Sequence, residues 1–283
     1  EKTKTPDGGF PNVKFNIPNP EVPESFETCY VDNNADIILA TDPDADRMGV
    51  SVKHKNKWHY LNGNQIGIIA LASLLFANKE KKKLTKDSTV VKTLVTTSLL
   101  NKICEHYKVN IIDDLLVGFK YIAHEIAKLE KQGKPDAFIM GLEESHGFLT
   151  GNYCRDKDGV CACVILAELA SFQKSQNKTL IDFLDEIYDT FGYADNMLSS
   201  IVLEGAMGME QMQHLMDTLR KEKPTTVGKF KVDKVDDKWE GPKFLSETDK
   251  SSRNVIVLHF EPKDLESLKL TIRPSGTQPA TKM

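Results

Sequence analysis

The sequence predicts an α/β protein with a largely parallel sheet, followed by a smaller α+β domain. Three observations carry this. Between residues 35 and 190, short apolar runs of strand length alternate with longer segments of helical periodicity. The apolar runs end in polar, often acidic loops, and in α/β sheets ligands gather beyond the carboxyl ends of the strands. After "FGYADN" (191–196) the regular alternation stops.

The elements follow in order. Residues 1–24 carry Pro6, Pro11, Pro18, Pro20 and Pro23, a density that favours extended or loop backbone over helix. "ADIILA" (35–40) reads as a short buried strand, and "MGVSVKH" (48–54) as a second, followed by the polar turn "KNK". "NGNQIGIIALASLLFANKE" (62–80) has a helix start signal at Asn62 or Asn64 and then apolar periodicity. The charge run "KEKKKLTKDS" (79–88) predicts a solvated loop. "STVVKTLVTTSLL" (88–100) is a strand running into a helix that continues to about Tyr107. "VNIIDDLL" (109–116) is strand-like, and "GFKYIAHEIAKLEKQG" (118–133) is a loop opening an amphipathic helix. "DAFIMGLEESHGF" (136–148) repeats the pattern of apolar strand and acidic loop, and helices are expected over 159–176 and 179–190. Farther on, "MLSSIVLEG" reads as a strand, "GMEQMQHLMDTLRKE" as a helix, and the rest as strands separated by polar turns.

Length and composition narrow the function. The 283 residues suffice for two or three domains and a sizeable core. A net charge of −4 and a pI near 6.0 argue against nucleic acid as the main partner. The longest apolar stretch, "IGIIALASLLFA" (66–77), is too short to span a bilayer, so no membrane partner is expected. Five cysteines (Cys29, Cys104, Cys154, Cys161, Cys163) with no CxxC pair argue against a disulfide framework or a zinc site and favour a reducing cytoplasm. The chain opens on "EKTKTPDGGF" without Met and stops at "RPSGTQPATKM", so both ends are expected to be cuts through a longer polypeptide.

Four polar clusters carry candidate chemistry: "DPDADR", "GFK", "GLEESHG" and "RPSGT". Asp42, Asp44 and Asp46 follow a strand at every second position. Carboxylates this close do not all stay ionised near neutral pH without a compensating cation. A hard divalent ion, Mg2+ foremost, meets that need. An EF-hand fails, because its sixth and twelfth positions hold Arg47 and Lys53 instead of Gly and Glu. A phosphatase-like DxD loop with Asp42 as nucleophile, and a solvated acidic turn, stay open on the residues alone. In "GLEESHG", Glu143, Glu144 and Ser145 offer the acceptors and donors that sugar hydroxyls need. Ser145 beside His146 is a poor hydrolase dyad, since adjacent residues rarely align nucleophile with base and no GxSxG is present. "TIRPSGTQP" (271–279) has the makings of an anion cradle: Arg273 for a bidentate pair, Ser275 and Thr277 for hydroxyls, Gly276 for close backbone approach. Lys120 and Lys157 are further loop cations.

Together, in this order, the loops resemble those of the α-D-phosphohexomutase superfamily, the phosphoglucomutase and phosphomannomutase enzymes. The matching stretches are "TDPDADR", "LNGNQIG", "VKTLVTTSLL", "VGFKYI", "GLEESHGFLTG", "RDKDGV" and "RPSGTQP", which span nearly the whole chain. The aspartate and RPSGT loops are the most specific.

The resemblance implies a four-domain enzyme with mixed-sheet phosphohexomutase-type domains, a smaller α+β C-terminal domain and a central cleft. On it, residues 1–60 are the end of domain 2 with the metal loop, 61–194 are domain 3 with the sugar loop, and 195–283 are domain 4 with the phosphate loop. It further implies that Asp42, Asp44 and Asp46 hold Mg2+, which also binds a phosphoserine oxygen, with Arg47 beside that phosphate. Glu143, Ser145 and the Gly118 loop would contact the sugar. Arg273, Ser275, Gly276 and Thr277 would clamp the non-reacting phosphate of a hexose phosphate, and Lys120 and Lys157 would contact substrate or move a proton. In the implied reaction the phosphoserine makes a sugar bisphosphate, which turns around and returns its other phosphate. The family's serine sits in a Ser-His-Asn-Pro-like loop that does not occur here, so this chain is expected to be a fragment inactive by itself. His146 stands where related sequences usually carry an aromatic, and Gln278 replaces a common Glu; both bear on sugar preference. A phosphopentomutase or sugar-bisphosphate synthase of the same superfamily is the near rival, and a silent sugar-phosphate-binding protein the distant one.

Overall fold

The fold begins with a β-meander whose turns follow from residue type. β1 (Ile37–Thr41), β2 (Met48–His54) and β3 (Lys57–Leu61) pair antiparallel in that order. Lys55 and Asn56 alone join β2 to β3, and both take positive φ, 49° and 60°. That backbone matches the twist of a two-residue hairpin. The computed structural model describes residues 7–9, 11, 20, 23, 26, 30, 34–202, 205–240, 249–261, 267–274 and 280–282. Most of the proline-rich stretch 1–24 therefore lies outside the described residues. The chain divides into two units, Glu1–Asp195 and Asn196–Met283.

In the first unit, α1 (Gly63–Glu80) starts where the sequence signal puts it. The Asn62 side chain accepts from the Gln65 amide at 3.0 Å, and the Gln65 side chain accepts from the Asn62 amide at 3.0 Å, a capping box. Ile66, Ile68, Ile69, Leu71 and Leu75 are buried on several sides of it, as befits an internal helix. Then come β4 (Thr89–Thr93), α2 (Leu99–Tyr107), β5 (Asn110–Leu115), α3 (Phe119–Lys131), β6 (Phe138–Glu143), β7 (Gly147–Thr150), α4 (Gly159–Ser175) and α5 (Leu180–Phe191). The sheet order is β5-β4-β6-β7. β4 pairs parallel with β5 and β6, while β7 returns antiparallel on β6, so the sheet is mixed.

Successive β4 residues face opposite layers. Val90 packs into the large core shared by α1, α2, α4, α5 and the meander; Val91 packs with Phe119, Ile122 and Ile126 of α3. The sequence reading of strand–helix alternation holds; of the charge run 79–88, residues 79–83 are exposed as expected, but Lys79 and Glu80 still belong to α1 and Ser88 is buried. The reading missed β3 and β7. Each is short and wedged between a turn and another element, so no periodicity builds up within it.

In the second unit, β8 (Ser200–Val202), α6 (Gly205–Glu222), β9 (Thr226–Val227), β10 (Phe230–Asp237), α7 (Asp249–Ser252), β11 (Ile256–Phe260), β12 (Lys269–Pro274) and β13 (Ala280–Lys282) follow. Their antiparallel sheet runs β8-β13-β12-β11-β10-β9. Met216 of α6 packs on Ile256, Leu258, Phe260 and Ile272. The strand expected over 197–205 is shorter than read, and the helix expected from 208 starts three residues earlier, at Gly205.

The packing of α1 sets a contrast between neighbouring side chains. Leu75 is 0% exposed and Phe76 50%. Leu75→Ala is expected to lower the unfolding free energy by about 2–5 kcal/mol. Phe76→Ala should change it by less than about 1 kcal/mol. Urea unfolding of both variants checks this.

Candidate functional site

The loop between β1 and β2 bends three carboxylates together. The Ala45 amide donates to Asp42 O at 3.0 Å, closing a turn in which Ala45 takes φ 55°. The Arg47 amide donates to Asp42 Oδ1 at 3.0 Å. The loop is also held from outside, since the Gly159 amide at the start of α4 donates to Ala45 O at 2.9 Å. A Cβ on Gly159 would lie 2.6 Å from Arg47 O, so only glycine allows this approach. One carboxylate oxygen from each of Asp42, Asp44 and Asp46 lies within 4.8 Å of the other two. Bonds of about 2.1 Å to a hard cation set ligand oxygens about 3–4 Å apart, a distance that small rotamer changes reach. The donor set fits a divalent ion with oxygen ligands.

The charges there are uneven. Burial pushes the Asp42 carboxyl up to about 6, aided by the neighbouring Asp46 and Asp44 and opposed by the Arg47 amide. Burial also acts upward on Asp46, but hydrogen bonds from Lys157 and Asp42 and the charges of Lys157 and Arg47 bring it below the usual carboxylate range. Arg47 Nε faces Asp46 Oδ1 at 3.7 Å.

Lys157 joins this loop to the turn between β6 and β7. Its side chain is 8% exposed, with Nζ 3.0 Å from Asp46 Oδ2, 2.9 Å from Asp156 Oδ1 and 3.7 Å from Glu143 Oε2. It also lies 5.2 Å from the Phe119 ring centre. Burial acts to lower its pKa, yet Asp156, Glu143 and Asp46 outweigh burial and the net shift is upward, so the ammonium is charged. The lysine stem passes over Gly147, where a Cβ would come within 2.0 Å of Lys157 Cδ. Glu143 is buried and its other oxygen accepts from the Gly118 amide at 2.9 Å. Gly118 has φ 129°, a value that favours glycine. Burial raises Glu143 against the opposing Lys157 charge.

Of the residues singled out from sequence, the structure thus gathers Asp42, Asp44, Asp46, Arg47, Glu143, Lys157 and Gly118. Ser145 is half-buried in the β6–β7 turn, and Lys120 is exposed on the first turn of α3, over the Tyr121 ring at 4.9 Å. Arg273 is half-buried at the end of β12, opposite Lys282 of β13. Ser275, Gly276 and Thr277 lie outside the described residues, as does Gln278. Three contacts escaped the sequence reading. Thr93 Oγ1 donates to Glu144 Oε2 at 3.3 Å. Lys92, 2% exposed, donates to Thr96 O at 3.1 Å. His146, at φ 63°, sets Nδ1 3.1 Å from Met48 O and Nε2 3.2 Å from Tyr60 Oη. The run "VVKTLVTTS" was the only signal for the first two, a lysine and three threonines at the end of an apolar strand.

Comparison with known proteins follows the same geography. Residues 62–191 match the model of the phosphoglucomutase/phosphomannomutase alpha/beta/alpha domain III, and residues 1–56 that of domain II. The phosphoglucomutase of Staphylococcus haemolyticus is 33% identical over 98% of this chain and 50% of its own length. That of Staphylococcus epidermidis is 32% identical over the same shares, 98% and 50%. The chain thus spans about half the length of the curated relatives it matches. A phosphoglucomutase/phosphomannomutase family protein of Burkholderia thailandensis superposes with a TM-score of 0.58 at 17% identity, over 98% of this chain and 48% of the other. Parafusin, a phosphoglucomutase of Paramecium in its open form, gives 0.54 at 18% identity over 87% and 39%. The two structures support the fold.

Two outcomes follow from the charge arrangement. A proton on Asp42 competes with a metal, so Mg2+ or Mn2+ should bind roughly tenfold more weakly at pH 5 than at pH 7.5, the loss setting in as pH falls through about 6. Calorimetric titration at the two pH values measures it. Lys157→Met leaves buried Glu143 and half-buried Asp46 without their ammonium and should cost about 3 kcal/mol in urea unfolding at pH 7.

Proposed function

Because the chain belongs to the phosphoglucomutase/phosphomannomutase family, we propose that it is the metal- and sugar-binding part of an enzyme interconverting hexose 1-phosphate and hexose 6-phosphate. The reaction proposed runs through a phosphoserine and a bisphosphate intermediate, with the serine on a segment that this sequence does not contain. Residues 1–60, 61–194 and 195–283 are then the end of domain 2, domain 3 and domain 4. One observation carries the reading: the Lys157 ammonium holds the aspartate loop, through Asp46, beside the Glu143 carboxylate of the next strand–turn unit. A cation site and an acceptor for a sugar hydroxyl thereby share one wall.

Each residue then has a physical task. A divalent ion such as Mg2+, held by Asp42, Asp44 and Asp46, would supply a Lewis acid that neutralises phosphoryl charge. Arg47, its side chain 38% exposed, presents a guanidinium next to that charge. Glu143 has lone pairs left beyond those facing Gly118 and Lys157, and with Ser145 it grips sugar hydroxyls. The upward-shifted Lys157 is a weak proton donor and acts as a fixed positive charge. Gly118 shapes the loop that carries Lys120 to the substrate. Arg273 with Ser275, Gly276 and Thr277 takes the non-reacting phosphate. Phosphoryl transfer rewards such positioning and neutralisation above other catalytic devices. A cytoplasmic setting belongs to this proposal and agrees with four free cysteines among the described residues.

The test uses the full-length polypeptide in coupled assays with hexose and pentose phosphates. Asp44→Asn should lower hexose phosphate turnover by at least about two orders of magnitude, and an unimpaired variant would overturn the ligand assignment. Preference for pentose phosphate, or net bisphosphate synthesis, would move the protein to a sister activity. Binding without any turnover would make it a sugar-phosphate-binding protein.

A further inference from the structure

A second concave site lies on the α5 side of the meander. It is a cavity of about 660 Å3 between β3, α1 and α5, within the range of about 300–1,000 Å3 usual for ligand sites. Its floor is aliphatic: Leu61 and Leu184 are 2% and 3% exposed, with Ile181 beside them. Its walls are aromatic. Tyr193 is 76% exposed and meets the Tyr188 ring edge-on, with centroids 5.0 Å apart, and Tyr60 closes another side. The Tyr188 hydroxyl is already engaged by the Gln65 side chain, which leaves its ring to the cavity. Asp185 and Asp189, exposed and one turn apart on α5, add two carboxylates to the lining.

Among the described residues lining the cavity none is a lysine or arginine, and His59 is the one titratable nitrogen base among them. Like charges at this helical spacing repel each other until a cation comes between them. Phosphorylated sugars are disfavoured here, because the carboxylates repel them. An amphipathic cation satisfies every surface: its stem lies on the leucines, its head stacks on tyrosine and its hydrogen bonds reach the aspartates. The volume exceeds that of one side chain, so the occupant is a short stretch of chain. We propose that this cavity binds an arginine-bearing segment of a partner polypeptide, with the guanidinium held by Asp185 and Asp189 against Tyr188 and Tyr193.

The proposal is independent of the catalytic reading and is tested by binding. The chain is titrated calorimetrically with blocked Gly-Arg-Gly, with the isosteric Gly-citrulline-Gly, and with agmatine. The arginine peptide should bind roughly tenfold or more tightly than its neutral citrulline analogue, and more tightly than agmatine. Asp185→Asn with Asp189→Asn, or Tyr193→Ala, should remove most of that affinity while leaving divalent-ion binding unchanged. These side chains are exposed, so the variants are expected to fold, and circular dichroism verifies it. Equal affinity for arginine and citrulline peptides, no saturation by about 10 mM, or full affinity in the double variant would overturn the proposal. Agmatine binding as tightly as the peptide would overturn the assignment to a polypeptide.

Discussion

A lysine ammonium withdrawn from water is stable only among anions, and the anions of Lys157 come from separate parts of the chain. Asp156 is its sequence neighbour, but Asp46 belongs to the β1–β2 loop and Glu143 to the end of β6. The ion therefore works as a fastener. It sets the aspartate loop against the β6–β7 turn, and through Glu143 and the Gly118 amide it also fixes the entry to α3. Two glycines make room for it: Gly147 lets the stem through, and Gly159 lets the loop rest on the first turn of α4. Removing the charge would strand Glu143 in an apolar setting, where its carboxylate already titrates high.

The unequal titration of the aspartates gives the loop its character. Asp46 has Lys157 and Arg47 to oppose it, whereas burial first, and then the neighbouring Asp46 and Asp44, push Asp42 up. A solvated acidic turn would spread its side chains into water and show no such conflict. Here the backbone hydrogen bonds to Asp42 and Ala45 hold the carboxylates together despite their repulsion. A divalent cation would relieve that repulsion without any change of fold.

What could be seen in the sequence was what is local. The Asp42, Asp44, Asp46 spacing, the Asn62 cap and the alternation of β4, α2, β5, α3 and β6 are all encoded over a few residues. Lys157 was singled out as a loop cation and through the resemblance, but its part as a fastener was not legible, because a lysine in "RDKDG" looks like any surface lysine until Asp46 and Glu143 are brought to it. Lys92 is a similar case: its burial depends on the helices that cover β4. Gly147 and Gly159 carried a faint signal as glycines directly beside polar motif residues, but the reason for them is a neighbour far away in sequence. The reading of Ser275, Gly276 and Thr277 as a phosphate cradle rests on their residue types and on the resemblance, since they lie outside the described residues.

His146 shows how a departure in sequence acquires its meaning from structure. The resemblance puts an aromatic residue here and so connects the histidine with sugar preference. The ring, 6% exposed, turns inward, bonded to Met48 O and Tyr60 Oη and tilted over the Tyr60 ring at 5.8 Å. An aromatic residue would keep that ring contact, and the imidazole adds polar bonds that tie the meander to the β6–β7 turn. Residue 146 therefore bears on where the start of β2, just past the aspartate loop, is held. Tyr60 belongs to both neighbourhoods, with its hydroxyl on His146 and its side chain in the wall of the α5-side cavity. A ligand that pins Tyr60 would act on its bond to His146 in the β6–β7 turn.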